Sequence, residues 1–326
     1  MLASIEICAG GGGQALGLEQ AGFSHSLLID NDEHACKTLI LNRPLWNVLH
    51  SSVAELNLVT YSGSIDLFAG GVPCPPFSFA GQQLGHEDER DLFPHALRLI
   101  EECGPKAVML ENVRGLLSKK FDLYRAHLIN ELSNLGYIAE FKLIQCSDFS
   151  VPQLRPRTIL VALRKEFWSS FVWPTPTSEP ALVSDAITDL LESGGWKLPS
   201  NDRKKLERVA PTIVGGSKKH GGPDLGPTRA KREWREMGID PMGIANDVPT
   251  ECFEGLPKLT CRMAARLQGF PDSWQFSGRK TAQYRQIGNA FPPPAAQAVA
   301  IQISKAIMAE KLANQTSETH TAPLAV

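Results

Sequence analysis

The sequence predicts an α/β protein with a doubly wound, mostly parallel sheet and a second, smaller, loop-rich domain. Strand-like and helix-like segments alternate over residues 1–165, three predicted helices end at a glycine, and the periodicity breaks after about residue 170. Alternating β-α units build a parallel sheet that is covered by helices on both faces. In such a sheet, nucleotide-like ligands bind at the carboxyl ends of the strands.

The elements of the first domain follow from short apolar runs and from apolar residues at helical spacing. The predicted strands are Ile5–Cys8, Ser26–Asp30, Ile65–Ala69, Ala107–Glu111, Tyr137–Leu143 and Thr158–Leu163. The predicted helices are Gln14–Ala21, His34–Asn42, Asp91–Cys103 and Phe121–Leu135. Gly22, Gly104 and Gly136 follow three of these helices, at the position where glycine ends a helix in the left-handed conformation.

The later part of the chain has a different composition. Prolines and glycines interrupt it repeatedly, and Asn201–Arg235 contains ten Lys or Arg against four Asp or Glu. We therefore divide the chain into a first domain (1–175), a smaller, locally basic domain (176–275), a return to the first domain (276–312) and a polar, disordered tail (313–326). The return includes a predicted amphipathic helix over Ala295–Lys311.

Composition excludes several classes of protein. Of the 326 residues, 43% are hydrophobic and 21% are charged, which excludes a disordered chain or a disulfide scaffold. Seven dispersed cysteines without a C-x-x-C pair indicate reduced thiols in a cytoplasmic protein and argue against a metal site. No Lys or Arg precedes Lys37, and no uncharged apolar run is long enough to span a bilayer, so we expect neither a signal peptide nor a membrane contact.

A glycine-rich loop, Ala9–Gly13, joins the first predicted strand to the first helix. Glycines let the backbone approach a ligand closely and adopt positive φ. Asp30 ends the second strand, where a carboxylate binds ribose hydroxyls. The spacing Gly10-x-Gly12-x-x-Ala15 also fits a dinucleotide fingerprint, so the loop alone leaves NAD, S-adenosylmethionine and an unliganded turn open.

A cysteine lies between two prolines at the end of the third predicted strand. Pro73 and Pro75 fix their own φ and favour an extended conformation of the residue before each of them. Cys74 is therefore held where a nucleophile would face the cofactor, although a lone cysteine is as often an inert packed thiol.

Two further groups of polar residues fall near the same edge of the sheet. Glu111 and Asn112 end the fourth predicted strand, and Arg155 and Arg157 lie just before the last one. Alternate residues of an extended segment point the same way, so the two arginines can share a face.

Seven blocks in one order resemble the DNA (cytosine-5) methyltransferases of the bacterial modification-enzyme type. They are Ala9–Gly13, Pro73–Cys74, Gly85–Phe93, Glu111–Val113, Gln153–Arg157, Arg262–Pro271 and Gln286–Ala290. The resemblance implies a fold of the S-adenosylmethionine-dependent methyltransferase type and a target-recognition domain at residues 176–275. It also implies methylation of a flipped-out cytosine in a specific duplex DNA sequence, as a restriction–modification methylase.

The resemblance implies a role for each residue of the catalytic set. The Cys74 thiolate would add to C6 of cytosine, and a protonated Glu111 would bind N3. Arg157 would bind O2, Arg155 would contact phosphate or position a loop, and Asn112 would brace the Pro-Cys loop. No metal is implied.

S-adenosylmethionine is the cofactor that the resemblance implies. Its expected contacts are Cys8, Gly10, Gly12, Gly13, Asp30, Asn31, Ser52, Val53, Pro73, Leu92 and Asn289. Cys8 and Asn31 stand where the family usually has an aromatic or apolar residue, and Ser52 stands where it usually has Asp.

Double-stranded DNA is the implied partner, with a separately encoded restriction endonuclease as the companion of a monomeric enzyme. The expected DNA contacts are Ser78, Lys218, Lys219, Thr228, Arg229, Lys231 and Arg232. Two alternatives remain: a transfer-RNA cytosine-5 methyltransferase, which the long basic insert disfavours, and an inactive DNA-binding relative, which the intact catalytic set disfavours.

Overall fold

A seven-stranded sheet forms the centre of the fold. The computed structural model describes residues 1–73, 91–176, 179–216 and 224–319, with side chains as far as Glu310. The strands are β1 (Leu2–Ile7), β2 (Phe23–Asp30), β3 (Val48–His50), β4 (Leu67–Gly71), β5 (Ala107–Val113), β6 (Tyr137–Gln145), β7 (Gln153–Leu154), β8 (Pro156–Arg164) and β9 (Ala210–Pro211). The order in the sheet is β3-β2-β1-β4-β5-β8-β6, and β7 pairs with β9 separately.

The predicted mostly parallel sheet is confirmed. Strands β1 to β5 pair in parallel, and only β8 runs antiparallel to its neighbours β5 and β6. The order reverses between β1 and β4, which opens a crevice at the carboxyl ends of these strands.

Helices lie on both faces of this sheet, and further helices follow in the later region. The helices of the described residues are α1 (Gly13–Gln20), α2 (Glu33–Asn42), α3 (Phe93–Cys103), α4 (Asp122–Asn134), α5 (Lys165–Trp168), α6 (Val183–Glu192), α7 (Ser200–Leu206), α8 (Thr228–Glu236), α9 (Cys261–Leu267), α10 (Lys280–Asn289) and α11 (Pro293–Thr319). The glycines at 22, 104 and 136 have φ of +90°, +56° and +89°, as expected of residues that end helices.

Three short strands were not predicted: β3, β7 and β9 have only two or three residues each, too few to show a periodicity. Strands β1, β2, β5, β6 and β8 extend beyond their predicted bounds at one or both ends. Strand β4 begins and ends two residues later than predicted. Asp66, the residue before the strand, accepts a hydrogen bond on its carboxylate from the Ala3 N–H at 2.8 Å.

The later region contains more helix than its composition suggests. Four short helices, α6 to α9, lie between residues 183 and 267, bounded by prolines and loops. Their apolar residues, among them Ile187, Trp234 and Met263, share one buried cluster with Leu16 and Leu39 of the first domain. The domain boundaries remain a prediction.

The last helix packs against the first one. At Gly17 in α1 a Cβ would lie 2.6 Å from the Pro293 carbonyl oxygen and 2.7 Å from Ala296 Cβ, so α11 packs directly on α1. Its backbone is helical as far as Thr319, where the sequence analysis predicted a disordered tail from residue 313.

Candidate active site

A cavity of about 660 Å³ opens at the carboxyl ends of β1, β2 and β4. It has the size of a small-molecule site. Every predicted cofactor-binding residue except Gly12 lines it. These lining residues are Cys8, Gly10, Gly13, Asp30, Asn31, Ser52, Val53, Pro73, Leu92 and Asn289.

The glycine loop forms one wall of the cavity and is held from two sides. Gly10 has φ of +54°, and its N–H donates to Asp30 Oδ2 at 2.7 Å. Trp274 Nε1 donates to the Gly11 carbonyl oxygen at 3.0 Å. At Gly13 a Cβ would lie 2.3 Å from the Phe291 carbonyl oxygen, so only glycine fits there.

Gly12 corrects one detail of the predicted set, because it does not line the cavity. It has φ of +85°, and a Cβ there would lie 2.7 Å from both Leu39 Cδ2 and Trp274 Cζ2. Its glycine is therefore required by the backbone turn and by packing behind the loop.

The three positions that depart from the family pattern all face the cavity. Cys8 has φ of +52°, unusual for a residue with a side chain, and burial raises its pKa to about 12. Asn31 is exposed, and its carbonyl oxygen lies 3.2 Å from His50 Nε2. The Ser52 hydroxyl accepts a hydrogen bond from the Ala54 N–H at 3.3 Å, which caps a short 3₁₀ turn.

A buried ion pair lies at the border of this cavity. Glu111 lines the cavity, and Arg157 Nε lies 2.6 Å from its Oε1. Both residues are 8% exposed. The strands bring them together, because Arg157 on β8 pairs with Val113, which lies two residues from Glu111 on β5. Glu111 itself pairs with Gly71 on β4. Burial raises the pKa of Glu111, and the two nearby guanidiniums of Arg157 and Arg155 oppose that rise.

Asn112 and Arg155 lie outside the cavity lining. Asn112 Nδ2 donates to the Val72 carbonyl oxygen at 2.8 Å, immediately before Pro73. Arg155 is fully buried and donates to the carbonyl oxygens of Ile213, Gly288 and Ala290 at 2.7–2.9 Å. Its contacts are those of a group that positions loops; the alternative contact, with phosphate, is not compatible with full burial.

Four polar residues of the cavity lie outside both the predicted site and the seven blocks of resemblance. Glu6 and Gln14 are almost fully buried in its wall, and Asp32 and Arg285 form an ion pair at 3.0 Å across two of its lining segments. One signal could have indicated Glu6: it is the single acidic residue of the apolar strand β1. The other three carried no recognisable signal, because they come from helix starts and from a segment more than 250 residues away.

The predicted DNA contacts divide into two groups. Ser78, Lys218 and Lys219 lie outside the described residues, as does the catalytic candidate Cys74. Thr228, Arg229, Lys231 and Arg232 all lie on α8. The arginine side chains are 83% and 73% exposed, whereas Lys231 pairs with Asp224 at 2.7 Å.

The segment that ends at Gly216 lies beside the cavity. Asn289, which lines the cavity, donates from Nδ2 to the Gly216 carbonyl oxygen at 3.1 Å. In the described parts of the chain, no group of three His, Cys, Asp or Glu residues could hold a metal ion. No helix within those parts is both long and apolar enough to cross a membrane.

Comparison with known proteins decides the family. The family model of the C-5 cytosine-specific DNA methylases matches residues 2–305. The chain belongs to this family. The predicted resemblance is confirmed, and the chain is a DNA cytosine-5 methyltransferase.

Two relatives share half of the methylase's residues. The chain is 52% identical over 312 residues to the Type II methyltransferase M.NaeI of Lentzea aerocolonigenes. This match covers 94% of the chain and 75% of the relative. The chain is 53% identical over 311 residues to the Type II methyltransferase M.NgoMIV of Neisseria gonorrhoeae, covering 94% of this chain and 98% of the relative.

A solved structure shares the methylase's fold. It is described as a DNA modification methyltransferase encoded within an E. coli prophage, and it matches with a TM-score of 0.67 at 23% identity. The match covers 94% of this chain and 100% of the other. At that identity the likeness supports the Rossmann-like methyltransferase fold.

Proposed function

We propose that the enzyme transfers a methyl group from S-adenosylmethionine to C5 of a flipped-out cytosine in a specific duplex DNA sequence. One observation carries this proposal: Glu111, paired with Arg157, borders the same cavity as the glycine loop and Asp30. A base bound at Glu111 would therefore lie next to a cofactor bound at the loop.

The cavity residues fit the cofactor by their chemistry. Asp30 is at the end of β2, where a carboxylate accepts hydrogen bonds from ribose hydroxyls, and Gly10 and Gly13 allow close backbone approach. Leu92 and Val53 offer apolar surface to an adenine ring. When bound, S-adenosylmethionine supplies an electrophilic methyl group.

The chain's own residues make the cytosine reactive. The Cys74 thiolate forms a bond to C6, which places electron density on C5, and the Glu111 carboxyl donates a hydrogen bond to N3 as negative charge develops there. Once C5 has gained the methyl group, loss of its proton lets the Sγ–C6 bond break and restores the thiolate. The raised pKa of Glu111 supports this role, because only the protonated carboxyl can donate to N3.

The other thiols near the site are poor nucleophiles. Burial raises the pKa of Cys8 to about 12, and it does the same to Cys146, which lies fully buried near Glu111 and Arg157. Since the thiolate is the reactive form, these residues do not compete with Cys74.

The substrate and the partner protein of the enzyme are inferred from the Type II names of its relatives. We propose that it acts as a monomer on double-stranded DNA within a restriction–modification system, beside a separately encoded endonuclease. The target cytosine must leave the helix, since its C6 is inaccessible to a thiolate inside the stack. Residues 201–249, with α8, would read the sequence.

A trapping experiment tests this function. Duplex DNA with 5-fluorocytosine at the target should give a denaturation-resistant adduct with the enzyme and S-adenosylmethionine, because fluorine cannot leave as a proton does. We expect Cys74→Ala to abolish the adduct and Cys252→Ala, which changes an exposed cysteine, to retain it. An adduct with Cys74→Ala would assign another nucleophile, and preferential methylation of transfer RNA over duplex DNA would favour the alternative substrate.

A further inference from the structure

A short basic segment follows the catalytic end of β5. Residues 113–120 contain three basic side chains and no acidic one. Val113, Arg114 and Lys119 are exposed, and we call these three residues the β5 patch. Arg114 comes three residues after Glu111, so the Cα atoms of the two residues are at most about 11 Å apart. The β5 patch therefore begins beside the place where the target base would bind.

Buried groups fix the turns of this segment. Arg125 in α4 donates to the carbonyl oxygens of Leu116 and Ser118 at 2.6 and 3.2 Å. Leu116 and Phe121 are buried and anchor the two 3₁₀ turns that carry the basic residues of the patch. A surface that is formed before its ligand arrives loses less conformational entropy on binding.

The two cationic groups of the patch are available to a ligand. Among the described residues, neither Arg114 nor Lys119 forms an ion pair or a side-chain hydrogen bond. The nearby acid, Asp122, is already paired with Arg125 at 2.6 Å. Val113 is 47% exposed and adds apolar surface next to these cations. A sugar–phosphate chain has both kinds of group, an anionic phosphate and a largely apolar sugar.

Arg157 lies between the β5 patch and the region that would read the sequence. Val113 of the patch pairs directly with Arg157 on β8. On the other side of Arg157 along the chain, Leu154 of β7 pairs with Pro211 of β9, which belongs to residues 201–249. A duplex that contacts both the patch and this region would span the buried ion pair of the active site.

We propose that the β5 patch binds the sugar–phosphate backbone of the DNA strand that carries the target cytosine. Arg114 and Lys119 contact phosphates, and Val113 packs on a deoxyribose. The strand is the target strand because its flipped base lies at Glu111. These contacts hold the backbone next to the flipped nucleotide while the base is outside the stack. The inference rests on the proposed function, which brings duplex DNA to the active site.

Neutral phosphates in the DNA test the proposal. The methylated site is first identified by bisulfite sequencing of DNA that the wild-type enzyme has treated. Duplexes of that site then carry a neutral methylphosphonate at one position at a time, on either strand, around the target cytosine. Binding titrations compare the wild type with Arg114→Gln and Lys119→Gln. Lys165→Gln is the matched control, since Lys165 is exposed and follows β8 at the opposite edge of the sheet.

The wild type should lose about three-fold to ten-fold in affinity when a contacted phosphate of the target strand becomes neutral. Arg114→Gln and Lys119→Gln should bind the unmodified site more weakly by a similar factor. Each should respond by less than about two-fold to the neutral phosphate that its side chain contacts, because that contact is already lost. The salt slope of log K should fall by about one in each variant. The control should behave as the wild type does.

Other outcomes overturn the proposal. Both variants would exclude the patch from the interface if they bound the site as tightly as the wild type or kept its full pattern of sensitive phosphates. Sensitivity that changed only on the complementary strand would contradict the assignment to the target strand. A lower unfolding temperature in both variants would assign the two residues to the stability of the fold. A wild type that methylates no DNA in the first step would contradict the proposed function, whereas the other results contradict this inference alone.

Discussion

The cavity border and helix α8 carry their charges in opposite ways. At the cavity, Glu111 and Arg157 are 8% exposed and lie 2.6 Å apart. On α8, Arg229 and Arg232 are largely exposed and face Glu233 and Glu236 of their own helix at 3.0 and 3.8 Å. Buried charges have fixed positions and shifted pKa values, whereas exposed pairs are screened and easily exchange partners. The first arrangement suits chemistry, and the second suits contact with an anionic polymer.

The largest effect is expected at the buried pair of Glu111 and Arg157. Glu111→Gln keeps the size of the side chain but removes the acidic proton, so turnover at saturating DNA and cofactor should fall by about 10²–10⁴. Cofactor affinity should change little. Glu236→Gln, at an exposed acid of α8, is the control and should retain turnover. Unchanged turnover in Glu111→Gln would remove that residue from the mechanism.

Substitutions of Arg155 and Arg157 should affect different properties, the first the stability of the fold and the second the turnover. Arg155→Met leaves three buried carbonyl oxygens without their donor, so the free energy of unfolding should fall by about 3–5 kcal/mol. Arg157→Met leaves Glu111 able to take up a proton, so little stability is lost. It removes the group expected to bind O2 of the cytosine, so turnover should fall far more than stability. Urea unfolding measures the first effect. A greater loss of stability in Arg157→Met than in Arg155→Met would contradict this assignment.

The same contrast explains what the sequence could predict. The glycine loop, Asp30 and Glu111 follow strands whose apolar pattern is clear, so their place at one edge of the sheet could be predicted. The contacts of Arg155 could not, because its partners lie 58 to 135 residues away and are backbone atoms, which any sequence offers.

The α8 residues were predicted from composition alone, and their contact with DNA stays a prediction. Basic composition predicts a surface for DNA, but it does not assign a position to each side chain. Glu6 was missed because a single acidic residue in an apolar strand is a weak signal in the sequence. Only the fold shows that Glu6 lines a cavity.

Acid sensitivity should also come from the buried region. Burial lowers the pKa of His25 to about 4 from its ordinary 6.5, so the folded state favours the neutral ring. The stability that this ring contributes is complete above pH 6.5 and is lost as the pH falls towards 4, by up to about 3 kcal/mol. Unfolding of wild type and His25→Gln between pH 7 and 4 should show a shallower decline in the variant. Parallel declines would show that His25 is not the group responsible.

The smallest effects are expected on α8. The intrahelical pairs of Arg229 and Arg232 are worth only about 0.3–0.5 kcal/mol each, so DNA can replace them at little cost. We expect Arg232 to bind phosphate. Arg232→Gln should then weaken binding to all sequences alike and lower the salt slope of log K by about one.

Arg229, the more exposed of the two, should instead read a base. Because a base contact distinguishes sequences, Arg229→Gln should cost about 1–3 kcal/mol at a single base position of the recognition site, with the other positions unaffected. Binding titrations at several salt concentrations, with DNA sites changed one base pair at a time, separate the two behaviours. If both variants weakened every site equally, α8 would hold only the DNA backbone, and the reading of the sequence would fall to other residues of the segment 201–249.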